Sequence, residues 1–217
     1  LCPKGDFIYK DQLDISHWNF LKFIKSIFQA KEIGKIKNKL YLRLNPLFWL
    51  IVYYNYQKMF KGLKDVELIA ISGFIQELLK NNHNLNSTII PNFVDLKKFS
   101  LTNIQPKSKG KPTVLYLGSL TKYKGPQILI EAVEGLDCKT LLYGSGGIKD
   151  ELLSYINEHK LDAQIKKPVP YEQVPKIYSK ADLVVFPSLW PEPFGRITIE
   201  AGAARKPIIG SRVGAIQ

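Results

Sequence analysis

From Thr113 onward the sequence keeps to one pattern: a short apolar run, a turn built from Gly, Pro, Ser or Lys, then a stretch with helical spacing. TVLYLGS (113–119), TLLYGSG (140–146), IKKPV (165–169), LVVFPS (183–188) and PIIGSR (207–212) are fit for strands. PQILIEAVEGL, IKDELLSYINEHK, YEQVPKIYSKA and RITIEAGAAR separate them and read as helices. Strands joined through helices run parallel, because a parallel pair needs a long crossover connection. The pattern predicts an α/β fold, a doubly wound parallel sheet with helices on both faces. Ligands of such sheets bind at the carboxyl ends of the strands, so the loops after each run are where function is sought.

The first hundred residues differ. Basic, aromatic helical stretches (17–31 and 46–62) lead to a single αβ-like passage, VELIAIS, then GFIQELLKNN, then STIIP. This passage reads as the later part of another α/β domain. KKFSLTNIQPKSKGKP (97–112) has linker composition, rich in Lys, Ser, Gly and Pro. The expected organisation is a partial N-terminal domain over 1–96, a hinge over 97–112 and a C-terminal ligand-binding domain over 113–217.

Lys and Arg outnumber Asp and Glu by 31 to 19, for a formal charge of +12, which suits anionic partners such as phosphates, nucleic acid or an acidic membrane face. Charge alone does not choose among them. Cys2 and Cys138 are too few and too distant for a disulfide framework, which predicts reduced thiols and a cytoplasmic location. His17, His83 and His159 lack metal-ligand spacing, so no metal site is expected. The longest apolar run, LFWLIVYY (47–54), is far short of the roughly 20 residues that span a bilayer as a helix.

The acids of SLWPEPFGRITIEAGA (188–203) stand out in so basic a chain. Pro193 and Gly195 oppose a helix through both, so Glu192 belongs to the loop and Glu200 to the following helix. The amides of about residues 194–198 would then form a helix N-terminus suited to a phosphate. Two carboxylates beside it fit sugar hydroxyls, each charged hydrogen bond contributing about 1.5–3 kcal/mol. The alternative is an acid favoured by the helix dipole and a solvated loop acid. Gly118, in YLGSLTKYKG, allows close backbone approach, and Lys124 can reach a phosphate; a solvated lysine is the plainer reading. YGSGG (143–147) borders a nucleotide or is a simple turn.

Taken in order, YLGSLTKYKGPQILIEA, LLYGSGG and VPYEQVPKIYSKADLVVFPSLWPEPFGRITIEAGAARKPIIGSRVGAI closely resemble the donor-binding domain of family 4 glycosyltransferases, which have the GT-B fold of two Rossmann-like domains. ISGFIQELLKNN with STIIPNFVDLKKF is similar to that family's approach to the interdomain hinge, so the resemblance covers 66–217. LCPKGDF resembles the stretch after the family's acceptor-side histidine motif, which would make the chain a fragment. The resemblance implies retaining transfer of a sugar from a nucleotide-diphosphate donor of UDP or GDP type to a glycan or lipid-linked acceptor, with no cofactor or metal required. By position, Glu192 would contact sugar hydroxyls and act in catalysis with Lys124, which would neutralise the leaving diphosphate. Glu200 would hold the ribose. Gly118, Ser119, Gly144, Phe194, Gly195, Arg196 and Thr198 would line the phosphate and sugar, and Val169 and Pro170 the base.

Three features depart from the family pattern. Ser119 stands where an arginine is usual, Arg196 stands where the residue is more often apolar, and the chain ends at GAIQ before the usual closing helices. Arg196 or Lys122 is the expected substitute cation, and the last strand is expected to have one poorly covered face. Lysines interleaved with Phe20, Phe23, Phe28, Phe48, Trp49 and Tyr53 resemble a surface resting on anionic lipid, at the inner face of the membrane; the alternative is an aromatic core with solvated lysines. Competing functions are an inactive nucleotide-sugar-binding fragment, a GT-B-fold epimerase and a basic nucleic-acid-binding protein. The last lacks any recognised nucleic-acid-binding signature, and nucleic acid is not an expected partner.

Overall fold

The computed structural model describes residues 46–100 and 110–217. The expected helix over 17–31, the LCPKGDF stretch, the lysines and aromatics before Pro46 and the middle of the expected hinge lie outside the described residues, as do the side chains of Phe48, Trp49 and Tyr53. The chain divides into two compact units, Leu1–Pro91 and Asn92–Gln217.

In the first unit, helix α1 (Pro46–Gly62) precedes β1 (Ile69–Ala70), α2 (Gly73–His83) and β2 (Thr88–Ile89). The strands pair in parallel, as expected of an αβ passage. Ser72 starts α2 by accepting the Ile75 amide at 3.2 Å, and Asn84 ends it in the left-handed region, where an Asn is tolerated. Among the described residues no helix is long and apolar enough to cross a membrane.

The second unit runs α3 (Leu96–Ser100), β3 (Thr113–Leu117), a 3₁₀ turn (Lys122–Lys124), α4 (Pro126–Ala132), β4 (Lys139–Tyr143), α5 (Lys149–Glu158) and β5 (Ala163–Lys166). It continues through a 3₁₀ turn (Tyr171–Gln173), α6 (Val174–Tyr178), β6 (Leu183–Phe186), α7 (Arg196–Ala203), β7 (Ile208–Gly210) and a last 3₁₀ turn (Gly214–Ile216). The sheet is all parallel in the order β5-β4-β3-β6-β7. Every residue of the central β3 is buried. Side chains alternate across a strand, and here Val114 and Tyr116 join one core with Leu142, Ile130 of α4 and Leu152 of α5. Leu115 and Leu117 join the opposite core with Val184, Tyr178 of α6 and Ala201 of α7. Helices thus cover both faces, as the apolar runs require.

Two local differences from the sequence reading have physical causes. Pro175 sits in the first turn of α6, so YEQVPKIYSKA breaks into a 3₁₀ turn and a short helix instead of one continuous helix. The change of unit falls at Pro91, ahead of the 97–112 stretch read as the hinge. Phe99, in that stretch, is 1% exposed and packs on Tyr178 with ring centroids 5.7 Å apart. Its burial is hidden in the sequence by the lysines beside it. On the edge strand β7, Ile209 is 59% exposed.

Leu142 is fully buried and Ile209 is not, so their truncations should differ. Leu142→Ala is expected to destabilise by about 2–5 kcal/mol and Ile209→Ala by under about 1 kcal/mol, measured by urea unfolding. Equal losses would contradict this account of the core.

Candidate functional site

The strand order reverses between β3 and β6, and a crevice for ligands opens beyond the carboxyl ends of strands at such a point. The loop leaving β3 is first bound to the loop leaving β4. Gly118 donates its amide to the Tyr143 carbonyl at 3.1 Å, Leu120 to Ser145 at 2.9 Å, and Ile148 to Leu120 at 3.2 Å. A Cβ on Gly144 would run into the Gly118 carbonyl, and one on Gly146 into the Leu120 backbone. The glycines of YGSGG therefore let two loops meet backbone to backbone.

The chain then makes the 3₁₀ turn of Lys122–Lys124 and reaches Gly125, left-handed at φ 72°, where a Cβ would collide with the Pro187 carbonyl. That close approach seats the turn under the loop after β6. The Tyr123 carbonyl accepts the amides of Leu189 (2.8 Å) and Trp190 (3.0 Å), and the Tyr123 and Trp190 rings pack at 6.0 Å. Lys124 Nζ then donates to Glu192 Oε1 at 2.5 Å, with Ser188 Oγ donating to the same oxygen at 2.7 Å. The Lys124 and Glu192 side chains are 24% and 8% exposed. The carboxylate is thus charge-matched and half-satisfied, with its cation reaching solvent.

Glu200 has a separate set of partners. Gly195, left-handed at φ 77°, caps α7, and Glu200 lies in the second turn, buried beside Ala201. The fully buried Tyr178 hydroxyl donates to Glu200 Oε2 at 3.1 Å, and Arg196 Nη2 lies 3.5 Å from Oε1. Arg196 is itself stacked over the Tyr171 ring at 5.1 Å. Burial pushes the Glu200 carboxyl up, opposed by the Tyr178 hydroxyl, the Arg196 charge and the Tyr171 hydroxyl. The Tyr178 hydroxyl is held far above its usual range, by burial first and then by the neighbouring carboxylate.

The expected residues therefore divide. Lys124 meets Glu192, and Arg196 meets Glu200. Other groups are turned to local use: Ser119 Oγ lies 3.3 Å from Thr121 Oγ1, Thr198 spends its hydroxyl (2.7 Å) and amide (2.9 Å) on the Gly195 carbonyl, and Lys122 pairs with Glu151 at 3.2 Å. Of the amides expected to stay open at the helix start, that of Thr198 is thus taken. Val169 packs against the core of the β6 side, while Pro170 is exposed and caps the 3₁₀ turn. Phe194 is partly buried. Sequence reasoning missed Ser188, Tyr171 and Tyr178. Tyr171 opens the 3₁₀ turn and Tyr178 ends α6, so no single helical spacing in the sequence links them. Among the described residues no three His, Cys, Asp or Glu side chains cluster as metal ligands.

The family model for glycosyl transferases group 1 matches residues 98–217, which takes in β3 through β7 and every residue of this site. The chain belongs to that family. Spore coat protein SA of Bacillus subtilis (strain 168) is 37% identical to this group 1 glycosyl transferase over 118 residues, 48% of the chain and 31% of the relative. Sucrose-phosphate synthase from Thermosynechococcus elongatus superposes with a TM-score of 0.64 at 22% identity, over 88% of this chain and 49% of that one. The pneumococcal O-GlcNAc transferase GtfA, solved in complex with UDP and GlcNAc, matches at a TM-score of 0.56 and 26% identity, over 75% of this chain and 33% of that one. The fold is of GT-B type, and the chain spans under half the length of each of these three proteins.

The raised Glu200 pKa sets a sign. Its neutral form is favoured by the fold, so Glu200 supports stability below the ordinary carboxylate range, and that support is lost as pH rises through its raised value. Glu200→Gln is expected to gain stability over the native chain at about pH 8 and not at about pH 4, read by urea unfolding at both. A difference independent of pH would mean that the carboxyl is not shifted upward.

Proposed function

We propose that the crevice between the β3 and β6 loops binds a nucleotide-diphosphate sugar and that the protein transfers this sugar, with retention, to a glycan or lipid-linked acceptor. The observation that carries the reading is the Lys124–Glu192 pair: residues 68 positions apart meet where the strand order of the sheet reverses. The pair supplies a cation for the diphosphate and a carboxylate for sugar hydroxyls, and Glu192 already accepts hydroxyl and ammonium donors on one oxygen. The open start of α7 adds backbone donors and the positive end of its dipole. Glu200 is the ribose acceptor in this reading, held by Tyr178, with Val169 and Pro170 at the base.

The reaction breaks the bond from sugar C1 to the diphosphate oxygen, the electron pair leaving with the diphosphate, and forms a bond from the acceptor oxygen to C1, the acceptor's hydroxyl proton passing to the departing diphosphate oxygen. Charge grows on the leaving group, and in this reading Lys124 and the α7 amides stabilise it. The donor is of UDP or GDP type, and the UDP bound by GtfA favours the former. No metal or cofactor is invoked. A lipid-linked acceptor sets the protein on the cytoplasmic face of a membrane, which the charge of +12 suits.

Calorimetric titration with UDP, GDP and ADP tests the reading. One nucleotide is expected to bind; Lys124→Met should weaken it more than about tenfold while sparing the corresponding monophosphate, and Glu200→Ala should weaken both. Arg196→Ala tests the second cation, with a loss for the diphosphate expected. A chain that unfolds cooperatively yet binds none of the three would end the donor-site reading.

A further inference from the structure

The Glu192 side chain is held by Lys124 and Ser188. Its main chain is also held from the segment that follows the sheet's edge strand. The 3₁₀ turn Gly214–Ile216, after β7, approaches the backbone of Pro191 and Glu192 closely. The Ala215 amide donates to the Glu192 carbonyl at 2.8 Å. Gly214 is left-handed at φ 55°, and a Cβ there would stand 2.5 Å from the Glu192 carbonyl oxygen, 2.6 Å from its nitrogen and 2.7 Å from the Pro191 carbonyl carbon. All three are backbone atoms, so no side chain can swing aside, and any larger residue must displace either the turn or Glu192.

The same turn reaches the other end of the loop. Ile216 packs where a Cβ on Gly195 would stand 3.2 Å from its Cγ1, beside the Phe186 ring, and against Gly210. Ser211 in turn donates to the Phe186 carbonyl at 3.1 Å, which ties the approach to β6. One short turn therefore braces both Glu192 and the cap of α7.

We infer that Gly214–Ile216 is a positioning element for the donor sugar, with Gly214 the residue that sets where Glu192 stands relative to the start of α7. The inference rests on the assignment of Glu192 to the sugar. Its signature is selective: moving Glu192 harms recognition of the sugar and leaves nucleotide binding, which is held by Glu200 and Lys124, nearly as it was.

The test compares the Kd of UDP with that of UDP-N-acetylglucosamine, or of GDP with GDP-mannose if guanine is the base bound, in the native chain and in Glu192→Gln, Gly214→Ala and Ile216→Ala. Gly214→Ala is expected to keep the nucleotide Kd within about threefold and to raise the ratio of sugar-nucleotide to nucleotide Kd by about tenfold or more, as Glu192→Gln does. Ile216→Ala should raise the same ratio by less. If Glu192→Gln leaves the ratio unchanged, the assignment of Glu192 fails, and this inference with it. If Glu192→Gln raises the ratio and Gly214→Ala does not, or weakens both ligands by one factor, the positioning role alone is overturned. Should Gly214→Ala not fold, Ile216→Ala decides: a sugar-selective loss upholds the role, and an equal or absent loss overturns it.

Discussion

A carboxylate as enclosed as that of Glu192 survives in a folded protein only if a cation and hydrogen-bond donors come with it, and the surrounding architecture is arranged to supply them. Lys124 must arrive from the β3 side, so its turn has to pass under the loop after β6. Gly125 permits this by having no Cβ to meet the Pro187 carbonyl. The Tyr123 carbonyl then locks the contact by taking two amides from the opposite loop. The result is a site with balanced charge before any ligand enters: Lys124 against Glu192, Arg196 against Glu200. In the donor-site reading proposed above, the ligand's phosphates would compete for these cations and its hydroxyls for the carboxylates.

Much of this was legible in the sequence. The apolar runs gave the strands, because a parallel sheet buried on both faces leaves little choice of residue. The split between Glu192 in a loop and Glu200 in a helix followed from Pro193 and Gly195 alone. What stayed hidden depends on distance in sequence. That Lys124 meets Glu192, or that Gly214 underlies Glu192, cannot be read from local spacing, since both contacts are made by sheet topology. Phe99 was obscured for another reason: one apolar residue among lysines reads as linker until a partner such as Tyr178 is known.

The glycines show a related limit. YGSGG was compatible with a ligand-facing loop and with a turn, and the geometry gives a third use, in which two successive strand-end loops continue the sheet's hydrogen bonding beyond the strands. The loops after β3 and β4 are accordingly held backbone to backbone. Arg196 is absorbed into a cluster with Tyr171, Tyr178 and Glu200, where its charge moderates the burial of an acid.

The pairing of β3 with β6 also bears on how the molecule is made. β3 meets β4 across a separation of 26 positions, whereas Thr113 and Asp182, bonded at 2.7 Å at the start of the β3–β6 pair, are 69 apart. Closing the longer loop costs about 0.9 kcal/mol more in chain entropy by the logarithmic rule, a small sum in equilibrium terms. Its effect is on sequence of events: a ribosome releases β3, β4 and β5 before β6 exists, so the crevice closes only after the first three strands can already have assembled. Trp190 sits on the loop after β6 and packs on Tyr123, so its fluorescence during refolding, read with Trp18 and Trp49 replaced by Phe, marks the moment at which the β3 and β6 loops meet.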